Sequence, residues 1–260
     1  MFAIERIRII KNYIQNNHQA EVSTLSNMLN VSEVTIRRDL EKLEEEGFLT
    51  RTHGGAVLNN NDDDSEYAVD GYNPADYNEI ADVAVQMIKD GDIIMLTNGI
   101  INLHIAKKLG SKNNITVLTN DITIAMELSN FKSIKVILLG GDIDNRYNAV
   151  FGTLTINNLN KFFVSKLFID IDGISGELEL TVPSIDMASL IQEAAHNAEQ
   201  KILLLTADAF EKNSFYRVGK AQRIADRLIT NSRIKDDYKN LIFNSNIQLF
   251  TSIDAFEGNV

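Results

Sequence analysis

The chain has 260 residues, 44% of them hydrophobic and 23% charged, with a formal net charge of −11. Such length and balance argue against a disordered chain and fit one small and one medium globular domain, each with its own core. With no cysteine, a disulfide scaffold and any thiolate catalyst or thiolate metal centre are excluded as well.

The N-terminus, MFAIERIRIIKNYI, interleaves charges with apolar residues, so it reads as neither a signal segment nor a membrane span; a soluble, cytoplasmic protein is expected. Ile4, Ile7, Ile10 and Ile14 share one helical face over residues 3–16, with Arg6, Lys11 and Gln15 on the wet side. Ser23 is placed to cap a short second helix whose Leu25, Met28 and Leu29 face inward, and Asn30-Val31 makes the turn that follows. Thr24 and Ser26 face either phosphate or solvent.

Ser32 then caps a third helix in which Ile36, Leu40 and Leu43 recur at i, i+4 and i+7, marking one buried stripe. Thr35, Arg37 and Arg38 lie on the free side, in the first turns, where a helix inserted in the major groove meets base edges and phosphates. Gly47 ends the helix, and residues 48–52 and 56–58 read as strands of a wing joined at Gly54-Gly55, carrying Arg51 and His53. Two arginines on a polar helix are no more than a solvated face in most proteins. The whole string VSEVTIRRDLEKLEEEGFLTRTHGGA closely resembles the signature of the DeoR-type family of bacterial transcriptional regulators. That resemblance implies a winged helix-turn-helix over residues 1–58, with Ser32, Thr35, Arg37, Arg38, Arg51 and His53 on double-stranded operator DNA.

Through Leu58 the chain has seven Lys/Arg against eight Asp/Glu, a net charge of −1, so ten of the eleven excess negative charges lie beyond it. An acidic body with a near-neutral reading head binds non-specific DNA weakly and depends on specific contacts and symmetry. Residues 59–78 lack apolar periodicity and read as a linker, in which Asp62-Asp63-Asp64 is a solvated hinge before it is a metal site.

From residue 79 to 260 short apolar runs alternate with amphipathic helices. Strands are expected at 93–96, 115–118, 135–139, 167–171, 202–205, 227–229 and 247–250. Helices are expected at 80–89, 102–109, 122–130, 154–162, 187–199 and 235–243. This alternation predicts an α/β fold with a mostly parallel sheet. Ligands of such sheets bind at the carboxyl ends of the strands, where Thr97-Asn98-Gly99, Thr119-Asn120-Asp121, Gly140-Gly141 and Gly152-Thr153 supply turn glycines and backbone amides.

The resemblance extends through DGD (90–92), VLTND (117–121), LLGGDI (138–143) and VFGTL (150–154). It implies a ribose-5-phosphate-isomerase-like sensor domain that binds a sugar or sugar-phosphate effector. Thr97, Asn98, Gly99, Thr119, Asn120, Gly140, Gly141, Gly152, Asp208 and Lys212 are its site residues. The family's phosphate loop reads D-S-G-T-T, whereas this chain has Thr97-Asn98-Gly99-Ile100-Ile101, and Lys212 falls one position late after Asp208. The basic residue usual on the preceding helix is also missing, since residues 185–200 contain no Lys or Arg. Each lost charge-assisted contact weakens anion binding by about 1.5–3 kcal/mol, so the phosphate site reads as degenerate and the pocket as retuned toward a less charged ligand.

A sugar-phosphate-isomerase-like enzyme and a protein-interaction module with a DNA-binding head are the rival readings. Carboxylates are plentiful, at Asp121, Asp142, Asp170, Asp172 and Asp208, but an isomerase also needs lysines on the phosphate, and no nucleophile motif occurs. Asp170 and Asp172 share a strand face without a nearby histidine, which argues against a metal. His18 and His104 read as solvent or helix-end residues and His196 as a surface one. No catalytic residue, metal ligand or cofactor is assigned. The expected protein is a transcriptional repressor of a carbohydrate operon, a homodimer or homotetramer without a membrane partner.

Overall fold

The computed structural model describes residues 6–7, 9–11, 13–14, 19–45, 49–52, 54–58 and 73–251. Two compact units divide the chain, residues 1–70 and 71–260.

In the first unit the described residues of 6–14 are helical (α1), followed by Gln19–Glu21 (β1), Val22–Leu29 (α2), Glu33–Glu45 (α3), Leu49–Arg51 (β2) and Gly55–Leu58 (β3). Ile10, Ile14, Leu25, Ile36, Leu40, Leu43 and Leu49 are at most 1% exposed and form the core of the three helices. β1, β3 and β2 make an antiparallel sheet in that order. Only glycine fits at Gly55, because a Cβ there would lie 2.1 Å from the Ala20 carbonyl oxygen of β1. Gly55 therefore brings the wing against a third strand as well as helping to turn it.

Three sequence expectations change in this unit. Ser23 does not cap α2: the helix starts at Val22, whose amide donates to the Gly54 carbonyl at 3.0 Å, so the wing satisfies the terminus that a serine was expected to satisfy. Met28 is 44% exposed rather than inward-facing. Arg6 is not on the wet side but in a buried ion pair. Gly47, Phe48, Gln15, His18, His53 and the Asp62–Asp64 run lie outside the described residues.

The second unit is built on a seven-stranded sheet of Ile93–Leu96 (β4), Ile115–Thr119 (β5), Ile134–Leu138 (β6), Val164–Asp170 (β9), Ala198–Leu204 (β12), Arg227–Ile229 (β14) and Gln248–Phe250 (β15). Its order is β15-β14-β12-β9-β4-β5-β6, with every neighbour parallel. Leu167, Phe168 and Ile169 are all completely buried, as a strand covered on both faces requires. The seven strands are those read from the sequence, with ends shifted by a few residues.

The helices are Pro74–Met87 (α4), Ile100–Lys108 (α5), Ile122–Leu128 (α6), Thr153–Leu159 (α7), Ile185–His196 (α8), Ala221–Ile224 (α9) and Asp236–Phe243 (α10). Two small antiparallel groups were not expected: the hairpin of Asp142–Asp144 (β7) and Ala149–Phe151 (β8), and a sheet of Gly173–Ile174 (β10), Glu179–Val182 (β11) and Tyr216–Lys220 (β13). α4 also begins inside the stretch read as linker. Asn73 caps it by accepting from the Ala75 amide at 3.3 Å, and Pro74 occupies the first helical position, where a missing N–H is harmless. Among the described residues no helix is long and apolar enough to cross a membrane.

Candidate nucleic-acid interface and effector cleft

Ser32 caps α3 as expected: the Thr35 amide donates to its Oγ at 3.3 Å, and the two hydroxyls lie 2.9 Å apart. With Ile36, Leu40 and Leu43 inside, Val34, Arg37 and Arg38 are left on the exposed side and Thr35 at its margin. Val34 is 61% exposed, an apolar group beside the arginines that periodicity did not single out. Arg37 reaches Glu33 at 3.3 Å, one turn back, with both side chains about half exposed. Arg51 lies beside the later turns of the same helix: its amide donates to Glu44 Oε1 at 2.9 Å, and its guanidinium is 3.7 Å from Glu41 and 3.9 Å from Glu44. Both arginines are thus balanced by carboxylates of α3 while remaining accessible.

Asp39, next after the two arginines, points the other way. It accepts from Arg6 Nε at 2.5 Å and Nη2 at 3.1 Å, and the side chains are only 4% and 11% exposed. This bidentate pair fastens α1 to the back of α3, and the hydrogen bonds that Arg6 donates to Asp39 hold its guanidinium above its ordinary pKa against burial.

In the second unit the sheet order reverses beside β4: β5 and β6 lie on one side, β9 and the later strands on the other. Such a switch point opens a crevice at the carboxyl ends of the strands. Five expected residues meet there. Thr97, 1% exposed, crosslinks the two tips: its amide donates to the Phe168 carbonyl at 3.2 Å, and its Oγ1 accepts from the Asp170 amide at 3.1 Å. Asn98 and Asn120 bond reciprocally, at 2.9 Å from the Asn98 amide and 3.2 Å from Asn120 Nδ2, and Thr119 Oγ1 accepts from the Asp121 amide at 3.0 Å. Gly99, at φ 146°, opens α5.

Gly140, Gly141 and Gly152 lie at the neighbouring corner of hairpin and α7. Thr155 Oγ1 donates to the Gly140 carbonyl at 2.9 Å, and a Cβ at Gly141 would meet Thr155 Oγ1 at 1.9 Å, so these glycines let α7 close on the hairpin. Asp208 is on the loop after β12, and Lys212, further along, is exposed.

Residues outside the expected set complete the cleft. Asp170, at the end of β9, accepts from the Ile101 amide at 2.8 Å through Oδ2. Burial first, then Asp172 and Asp121, push its pKa up to about 8 despite the amides of Ile101 and Asn102; Asp172, just past the end of β9, is exposed. Tyr77, in the first turn of α4, is driven up to about 12, by burial and then by Asp170, Asp76, Asp208 and Asp172. Arg233 binds Asp76 through Nε at 3.1 Å and through Nη2, which also reaches Asp208 at 3.0 Å. The cleft does have a basic group, supplied by the loop after β14 rather than by α8. His104 is corrected too: it is 6% exposed, stacks on Tyr77 at 5.9 Å between ring centroids, and places Nδ1 3.2 Å from Asn78 Oδ1. Among the described residues no group of three His, Cys, Asp or Glu is placed to hold a metal ion.

A winged head with an outward arginine face, joined to a doubly wound domain with a switch-point cleft, defines a DNA-binding regulator with a sensing domain. Residues 6–62 match the DeoR-like helix-turn-helix domain and residues 73–232 the DeoR C terminal sensor domain, so the chain belongs to the DeoR family of transcriptional regulators. It is 32% identical over 219 residues to the uncharacterized HTH-type transcriptional regulator FruR of Bacillus subtilis, covering 83% of this chain and 86% of that one. It is 28% identical to the HTH-type transcriptional repressor GlcR of the same species, over 97% of both chains. The lactose phosphotransferase system repressor of Lactococcus lactis is 29% identical, covering 80% of this chain and 83% of that one. Among solved structures it resembles ribose 5-phosphate isomerase A from Methanocaldococcus jannaschii, at 16% identity and TM-score 0.40, covering 54% of this chain and 56% of that one. Family membership places the chain among regulators rather than enzymes.

Proposed function

We propose that this regulator represses a carbohydrate-metabolism operon and that a sugar-derived metabolite, bound where β4 and β9 end, controls it. The observation that carries the DNA-reading assignment is the two-sidedness of α3: Ile36, Leu40 and Leu43 are buried while Val34, Arg37 and Arg38 stay outside. On this reading Ser32 and Thr35 set the start of the helix against the duplex, Arg37 and Arg38 contact base edges and phosphate, Val34 offers an apolar contact to a thymine methyl, and Arg51 and His53 follow the backbone. One head buries too little surface for operator affinity, so a homodimer or homotetramer reads two half-sites. The repressor names of relatives support the sign of regulation, and the sugar in several of those names supports the operon.

The effector acts through the first turn of α4. Asp76 and Tyr77, two and three residues after Pro74, face the cleft loops through Arg233, Asp208 and Asp170, and α4 is the first described element after the wing. A ligand that shifts this turn changes the populations of head arrangements that fit the operator.

The test is a mobility-shift assay with the DNA upstream of the chain's own gene, with and without a panel of phosphorylated and unphosphorylated sugars. Arg37→Ala/Arg38→Ala abolishes the shift without changing the melting of the larger unit. An unaltered shift in that double variant refutes the assignment of α3.

A further inference from the structure

Asp170 sits where a bound anion is ordinarily stabilised. α5 has nine residues, and its N-terminus opens at Gly99 in the crevice between β4 and β9. Backbone amides at such a terminus favour negative charge. Here those amides already have an occupant: the Ile101 amide donates 2.8 Å to Asp170 Oδ2, and the Asn102 amide also favours the ionised carboxyl. The fit is close. A Cβ built on Gly99 would lie 2.3 Å from Asp170 Oδ2 and 2.5 Å from its Cβ and Cγ, so the carboxyl group fills the space that glycine leaves over the helix end.

Among the described residues no ion pair explains its presence. Asp170 takes part in none of the salt bridges among the described residues; its neighbours of like sign are Asp172 and Asp121. The cationic group of the cleft described above, Arg233, is taken up by Asp76 and Asp208. A carboxyl held without a cation, against its desolvation and two other carboxylates, is held by the helix amides.

Resting on the cleft reading above, we propose that Asp170 is an internal occupant of the α5 anion site and determines effector specificity: while it is seated, the sensor excludes phosphate from that terminus and selects an unphosphorylated, hydroxyl-rich ligand. Phosphate meets amides that are already bonded, and Asp172 beside them. A polyol brings hydroxyls that can both donate to and accept from the carboxyl groups gathered there.

The experiment titrates the full chain with inorganic phosphate by calorimetry, in the native form and as Asp170→Gly, Asp170→Ala and Asp170→Asn. The native chain shows no saturable binding up to about 10 mM phosphate. Asp170→Gly and Asp170→Ala, which empty the site, bind phosphate at least about tenfold more tightly than the native chain, as two freed amides warrant. Asp170→Asn, which still fills the space, stays within about threefold of the native chain. Saturable submillimolar binding by the native chain overturns the proposal, whatever the variants do. So does an unchanged phosphate affinity in either emptied variant that melts cooperatively. The cleft reading fails separately, when no sugar alters operator affinity although the emptied variants gain phosphate.

Discussion

Replacing Asp39 with alanine tests whether the reading head depends on a buried ion pair behind its recognition helix. Asp39 and Arg6 are 4% and 11% exposed, so solvent screens their two hydrogen bonds little, and alanine leaves a guanidinium buried without a partner. Breaking such a pair costs about 3–5 kcal/mol. A unit of 70 residues has a total stability of only about 4–10 kcal/mol. Asp39→Ala therefore lowers the melting midpoint of the head by on the order of 15 °C or more. The assay is calorimetry of the full chain, in which the head transition moves and the sensor transition does not, paired with a mobility shift at 37 °C. Arg6→Met/Asp39→Leu keeps the volume without the charges and returns stability to within about 1 kcal/mol of the native head or above it. A loss below about 1 kcal/mol in Asp39→Ala refutes the reasoning, because it means the pair is solvated in solution.

Glu44→Gln removes a carboxylate that binds the Arg51 amide and faces its guanidinium; operator affinity rises about two- to fivefold and the salt slope steepens by up to about one, and an unchanged slope in a filter-binding series counts against Arg51 on phosphate. The larger unit is expected to lose stability as pH rises. Asp170, raised to about 8, holds a proton in the fold that the unfolded chain releases near 4, so its contribution is complete below about pH 4 and gone above about pH 8. Asp170→Asn flattens the upper part of that profile in denaturant melts, whereas a native profile that climbs between pH 6 and 8 contradicts the assigned burial.

The seven strands of the large sheet and the inward stripe of α3 are legible in the sequence because each rests on a local repeat of apolar residues. β1 is not, because it is a three-residue strand created by a glycine 34 residues ahead, Gly55, that makes room for its backbone. α4 begins early for a reason that is visible in Asn73-Pro74, a cap followed by a proline at the first helical position, but the same pair also reads as a turn. The cleft divides similarly. Thr97, Asn98, Gly99, Thr119 and Asn120 follow recognisable strands, whereas Arg233 reaches the site only through long-range partners, Asp76 lying 157 residues away in sequence. The sequence puts Asp170 and Asp172 on one strand face, whereas β9 ends at Asp170 and Asp172 lies in the bend beyond it; that Asp170 turns onto the start of α5 depends on β9 pairing with β4.

At the opposite ends of those two strands lies Lys166, whose ammonium reaches Asp92 at 2.5 Å with side-chain exposures of 10% and 15%, while the Lys89 amide donates to the same carboxylate at 2.8 Å. Lys166 stands across from Ile94 in the β4–β9 ladder. Sliding β9 by one residue would turn that ammonium to the other face, and separating it from Asp92 would strand a charge at a cost of several kcal/mol. The pair acts as a dowel between two segments that are synthesised some seventy residues apart. Thr97 and Asp170 meet at the far tips because misaligned pairings of the same strands are penalised at the base.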